Sequence, residues 1–236
     1  MGQIGGPALM KISLIHPSRS RSQKAIHAAK RWIAEAGEHV DYICSIDSDD
    51  PEKELYYSLF LGRRIVCKDN RSAIDAINNA AKEAIGDIFV VMSDDFDCPS
   101  QWATALLRLT EGKTDWIAKT NDGIQRWIIT LPIMDRAYYN RFGYIYHPDY
   151  RHMFCDTHMS AVADLLGRRI NLDMTFKHNH YSVGKSERDE INIRADKTWG
   201  QGEFTFMKHF RNNFGLVNPP GQITDQNFLN WVNQKR

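Results

Sequence analysis

The stretch from Gly86 to Pro99, GDIFVVMSDDFDCP, constrains this chain more than any other. It opens with a short apolar run rich in β-branched and aromatic residues, the length of one buried strand. The run ends abruptly in Asp94, Asp95 and Asp97, followed by Pro99. Burying unpaired charge is costly, so these acids must sit where the strand emerges. In open α/β sheets that carboxyl end is where ligands bind. Carboxylates on a short, stiff turn suit a hard divalent cation, which takes oxygen ligands and bridges to a substrate's phosphates. The plainer alternative is a solvated acidic loop that caps the next helix. The rest of the chain has to decide between them.

Strands and helices alternate on either side of this stretch. Lys11 to His16 reads as an apolar strand running into Pro17-Ser18-Arg19-Ser20-Arg21-Ser22. Two guanidinium groups in that turn match phosphate geometry; the simpler reading is a solvated turn in which Ser22 caps the following helix. Ala25, Ile26, Ala29, Trp32, Ile33 and Ala36 recur at helical spacing, with Gly37 placed to end the helix. Val40 to Ile46 is a second strand, ending in Asp47-Ser48-Asp49-Asp50, and Arg64 to Lys68 a third. A helix from about Ser72 to Ala84, closed by Gly86, leads into the acidic strand. This alternation predicts an α/β fold: a mostly parallel sheet with helices on both faces and polar loops at one edge.

Downstream, a helix from Gln101 precedes strands at Trp116 to Lys119 and Trp127 to Leu131, with Asn121-Asp122-Gly123 between them. Asp135 to Phe142 reads as a helix and Gly143 to Arg151 as a long loop. Asp156 lies near the start of a further helix, as an N-cap or a general base. Met174 to His180 reads as a strand that puts His178 and His180 on one face, a pair able to bind metal. From about Glu187 to Phe214 the chain is charged and helical, with a break expected near Gly200-Gln201-Gly202, and a short helix covers Asp225 to Val232.

Length and composition fit this picture. The 236 residues can bury a real core, and 42% hydrophobic with 25% charged residues is ordinary for a globular chain. A net charge of +1 gives no global pull toward nucleic acid or membrane. Cys44, Cys67, Cys98 and Cys155 lack paired spacing, which argues against a structural zinc site or disulfide scaffold and suits a reducing cytoplasm. No apolar run has bilayer length. Residues 1–9 are Gly-rich, lack signal-peptide features and read as a loose leader.

The order of these elements, from about Lys11 to about Lys185, resembles the GT-A glycosyltransferases, especially the inverting family 2 group. Pro17-Ser18-Arg19 is similar to that family's first turn. Ile46-Asp47-Ser48-Asp49-Asp50 is similar to its second, without the usual glycine. Asn70, Ser72, Asn78, Gly86 and Asp87 keep the spacing of the next motif, with Ser72 in place of a glycine, and Asp95-Phe96-Asp97 matches the Asp-x-Asp metal motif.

The resemblance implies a catalytic domain over residues 10–185, with a nucleotide-sugar half to about residue 100 and an acceptor half beyond. Residues 186–236 would form a helical extension packed on it. It implies a nucleoside diphosphate sugar donor, most often a uridine one, and Mn²⁺ or Mg²⁺ held by Asp95 and Asp97 with His178 or His180. Donor contacts are expected from Pro17, Ser18, Arg19, Asp47, Asp49, Asn70, Arg71, Asn78, Asp94, Asp95 and Lys185. Within that set, Asp47 falls to the base or ribose, and Arg19 or Arg71 to base or phosphate. Asp94 is either a partner behind the metal ligand or a ribose contact. Asp156 is the expected base, deprotonating an acceptor hydroxyl on a saccharide, lipid carrier, protein or modified nucleic-acid base. Two alternatives are a nucleotidyltransferase, disfavoured by the glycine-free first turn, and a degenerate domain that binds without catalysis.

Overall fold

The computed structural model describes residues 10–184 and 189–234. Lys185 and the leader therefore lie outside the described residues. β1 (Ile12–Pro17) pairs in parallel with β2 (Val40–Asp47) and with β4 (Ile88–Val91), and β3 (Arg64–Lys68) extends β2 in parallel. On the other side β7 (Ile133–Asp135) runs antiparallel to β4 and to β6 (Ile117–Asn121), and β8 (Arg169–Thr175) runs parallel to β6. The resulting seven-stranded sheet has the order β3-β2-β1-β4-β7-β6-β8.

Alternation along the central strands explains why both faces are covered. Leu14, Cys44 and Val90 enter one hydrophobic cluster, while their neighbours Ile15, Ile43 and Phe89 enter the other. Strands buried on both faces read as continuous apolar runs, as these do. The first cluster is closed by α1 (Ser22–Ala34) and α4 (Trp102–Thr110) through Trp32 and Trp102, whose rings meet edge to face at 5.5 Å. The second is closed by α3 (Ala73–Glu83), capped by the Ser72 hydroxyl on the Asp75 amide, and by α6 (Cys155–Leu165). α2 (Lys53–Leu59) buries Tyr56, and Asp135 caps α5 (Arg136–Asn140). Of the C-terminal helices α7 (Glu190–Asp196), α8 (Trp199–Arg211) and α9 (Gln226–Gln234), the last two send Phe206, Phe228 and Val232 into the second cluster.

Four local expectations are corrected. Trp127 to Leu131 is not a strand, because side chains take its polar groups. The Ile129 amide donates to Ser160 Oγ (2.8 Å), and the Trp127 carbonyl accepts from Arg169 Nη1 (2.6 Å). Buried Asp122 accepts from the Ile124 and Gln125 amides and the Thr130 hydroxyl. The strand beside β4 starts later, at Ile133. The expected strand over Met174 to His180 instead begins at Arg169. It leaves the main sheet after Thr175, where β9 (Lys177–His178) pairs antiparallel with β5 (Phe96–Asp97).

Gly86 does not serve as a left-handed helix stop. A Cβ there would lie 2.5 Å from the Ser13 amide nitrogen, so glycine lets this turn touch β1. Gly200 and Gly202 do not break a helix either, since both lie inside α8 and the break falls just before it, at Lys197 and Thr198. At Gly202 a Cβ would lie 2.4 Å from the Met153 carbonyl oxygen.

Candidate active site

The carboxyl ends of β1, β2 and β4 open into a cleft of about 1270 Å³. Asp94 and Asp95 line it, delivered by β4. Asp94, nearly buried, has Oδ1 2.8 Å from Nε2 of His16 at the end of β1. His16 Nδ1 lies 2.7 Å from the Tyr42 hydroxyl. Burial holds the Tyr42 phenol protonated, far above its ordinary range. A carboxylate can only accept, so Nε2–H donates to Asp94, while the Tyr42 hydroxyl holds the other ring nitrogen. This buried chain fixes Asp94 from behind.

Asp95 accepts from the Ser93 hydroxyl and lies 3.1 Å from His178 Nε2. Burial pushes its carboxyl up, but the hydrogen bond and charge of His178, with Ser93, outweigh burial and hold it at about 2. The β5–β9 pair brings the two groups together by setting Phe96 opposite His178, with their rings stacked at 4.1 Å. His180 also lines the cleft, its ring 4.9 Å from that of His178. A carboxylate and an imidazole at this spacing, with a second carboxylate adjacent, fit a hard-to-borderline divalent ion that a diphosphate can complete.

Two residues of the expected set are not brought to the cleft. Asp97 points to α1, where Arg31 Nη1 donates to it at 2.5 Å. Asn78 is buried under the following loop: its Oδ1 accepts from the Ile145 and Tyr146 amides (3.0 and 3.1 Å), and its Nδ2 donates to the Tyr146 carbonyl at 2.7 Å.

The others gather around the first turn. Pro17, Ser18, Arg19, Asp47, Asp49, Asn70 and Arg71 all face the cleft. Arg19 Nη1 donates to Asp47 (2.6 Å) and Asp49 (2.5 Å), and Asn70 Nδ2 to Asp47 (2.9 Å). The Asp49 hydrogen bond leads in holding the Arg19 guanidinium firmly charged. Ser18 shares a hydrogen bond with Tyr56 (2.7 Å), and Arg71 pairs with Asp75 at 2.8 Å.

Asp156, in the first turn of α6, also lines the cleft. It is not the N-cap; that position belongs to Phe154, held at φ 70°. A bulky side chain in the left-handed region is strained, and such strain concentrates at functional sites. Phe154 is clamped between Trp231 (5.6 Å, stacked) and Trp199 (5.0 Å, edge on). Burial raises the Asp156 carboxyl above the ordinary value, although the Thr157 amide donates to it at 2.7 Å.

Sequence reasoning did not single out His16, which stands behind Asp94, although a polar side chain closing an apolar strand was a readable signal. Arg21, the second guanidinium of the first turn, lines the cleft and reaches Asp189 (2.5 Å), which caps α7 through the Ile191 and Asn192 amides. Trp127, Trp199 and Trp231 also line the cleft, and nothing local marked them for it.

No protein-family profile matches the sequence, and no curated protein matches it. Solved structures do. Glucosyl-3-phosphoglycerate synthase from Mycobacterium tuberculosis, solved with Mn²⁺, UDP and phosphoglyceric acid, superposes with TM-score 0.60 at 11% identity, over 84% of this chain and 78% of its own. The mannosyltransferase PcManGT from Pyrobaculum calidifontis, in complex with GDP-Man and Mn²⁺, gives TM-score 0.56 at 11% identity, over 96% and 80%. S. aureus TarS gives TM-score 0.57 at 14% identity; 71% of this chain is covered, which spans 36% of the TarS chain. These likenesses show the fold: the chain has the GT-A fold. Among the described residues no helix is long and apolar enough to cross a membrane.

Proposed function

We propose that this protein is an inverting, metal-dependent glycosyltransferase that moves a sugar from a nucleoside diphosphate, UDP first among them, to an acceptor hydroxyl. The observation that carries this reading is one shared cleft. It holds the Asp95–His178 pair together with a half-buried carboxylate of raised pKa, Asp156.

In this reading Asp47 and Asn70 receive the nucleoside, and Asp94, fixed by His16, meets the ribose. Asp95 and His178, with His180 beside them, would hold a Mn²⁺ or Mg²⁺ ion, which would supply positive charge for the departing diphosphate. Asp156 accepts the proton of the acceptor hydroxyl, which attacks the anomeric carbon from the face opposite the diphosphate. No enzyme nucleophile is needed, so configuration inverts. A raised pKa suits a general base, because the proton affinity of the carboxylate rises with it. The aromatic wall of Trp127, Trp199 and Trp231 offers flat apolar surface for an acceptor ring.

A screen of nucleoside diphosphates by thermal shift, with and without Mn²⁺, tests the donor half; a ligand of the folded state raises Tm by mass action. The expected result is a metal-dependent rise with one nucleotide. A well-folded sample with no rise for any of them contradicts the reading.

A further inference from the structure

Away from the cleft, three histidines and a carboxylate converge where the 141–154 segment meets α6 and α8. His209 Nε2 of α8 lies 2.9 Å from Asp149 Oδ2, and His147 Nδ1 lies 3.9 Å from the same oxygen. The rings of His147 and His209 are 4.4 Å apart, and His158 of α6 stands 4.9 and 5.0 Å from them. One ligand atom from each of His147, Asp149 and His209 can be chosen so that all lie within 4.8 Å of one another. Ligands around a tetrahedral zinc ion, bound at about 2.0–2.2 Å, sit roughly 3.4 Å apart, so only a small closure is needed.

The Asp149 amide donates to His147 Nδ1 at 3.2 Å, a hydrogen bond that an ion at this nitrogen would displace. His158 packs against the cluster from α6, its Nδ1 3.0 Å from the Tyr150 hydroxyl. The side chains of His147, Asp149 and His209 remain partly exposed, at 21%, 47% and 16%, so an ion can enter from solvent.

We propose that His147, Asp149 and His209 form a second cation site, for a borderline transition-metal ion of the zinc class, with water in the fourth position. Two imidazoles and one carboxylate, with no diphosphate oxygens to complete the shell as in the cleft, favour such an ion over Mg²⁺ or Mn²⁺. The ion staples α8 to the loop that precedes Asp156. This site stands independently of the glycosyltransferase reading, since none of its three ligands lines the cleft.

Zinc titration by calorimetry, with Co²⁺ absorption as a coordination probe, tests it. The starting protein is an Asp95→Asn/His178→Gln variant, in which the cleft pair is disabled. One equivalent of Zn²⁺ is expected to bind to it and to the wild type, raising Tm in both, with no competition from Mn²⁺. His147→Gln or His209→Gln is expected to weaken Zn²⁺ at least tenfold, with circular dichroism confirming the fold. Asp149→Asn serves if either histidine variant fails to fold. Absence of Zn²⁺ binding, undiminished binding in the His147→Gln/His209→Gln variant, or loss of binding in Asp95→Asn/His178→Gln alone overturns the proposal.

Discussion

His178 Nε2 lies 3.1 Å from Asp95 Oδ2 although 83 residues separate them. The contact exists because β9 returns to pair with β5, and the His178 ring stacks on Phe96. In the proposed reading it sets which acid of the Asp94, Asp95, Asp97 cluster would face an ion. Asp95→Asn is therefore expected to abolish the Mn²⁺-dependent nucleotide shift, whereas Asp97→Asn leaves it in place. Asp97 is engaged with Arg31 on α1, a partly exposed pair worth about 0–1 kcal/mol. Thermal shift with UDP, GDP and Mn²⁺ on the two variants checks this. Equal loss in both would return Asp97 to the metal set.

Asp156→Asn is expected to reduce transfer by about 10²–10⁴-fold, the usual share of a general base, while nucleotide binding persists. The wild-type acid limb of kcat/KM should lie above the range of an ordinary carboxylate, because burial raises this group. Full activity in the asparagine variant would remove Asp156 from the chemistry.

The same variant should be more stable than the wild type at neutral pH. The folded-state pKa of Asp156 is raised, so the folded protein binds this proton more tightly than the unfolded chain does. Its contribution to stability is thus favourable below the unfolded value of about 3.9 and is lost as pH rises through the folded value. As pH rises through the folded value the ionised group becomes a net cost that the neutral amide removes. Denaturant midpoints at pH 4 and pH 7 check the sign: the gain from substitution should be larger at pH 7.

Asn78→Ala is expected to destabilise the fold by about 2–4 kcal/mol, leaving the Ile145 and Tyr146 amides without their buried acceptor. Nucleotide affinity of the folded fraction should be unchanged. Urea melts and calorimetric titration separate this structural role from the donor contact that sequence spacing implies.

Gly202→Ala places a methyl group 2.4 Å from the Met153 carbonyl oxygen. Forcing α8 and the 153–154 backbone apart costs about 1–3 kcal/mol. Because Phe154 leads directly into Asp156, kcat should fall more than nucleotide affinity does. An unchanged kcat would show that the position of Asp156 does not depend on this contact.

The sequence by itself determined the sheet's parallel core and the end at which its acids emerge. Those features are written in local patterns: apolar runs such as Ile88–Val91, helical spacing such as that of Ile74, Ile77 and Ala80, and charge where a strand stops. It also put Asp95, Asp156 and His178 forward, because each stands at an element boundary. Tertiary structure alone decided what depends on pairing between distant segments. Asp97 and Asn78 keep motif spacing, yet Arg31 and the Ile145–Tyr146 backbone engage them. Trp127 to Leu131 has strand composition, yet Ser160, Asp122 and Arg169 take its polar groups. Gly202 resembles a helix breaker and is a packing contact. Apart from Asp122, eight residues from Thr130, each deciding partner lies tens of residues away, and local propensity carries no information about which distant group will satisfy a given side chain or amide.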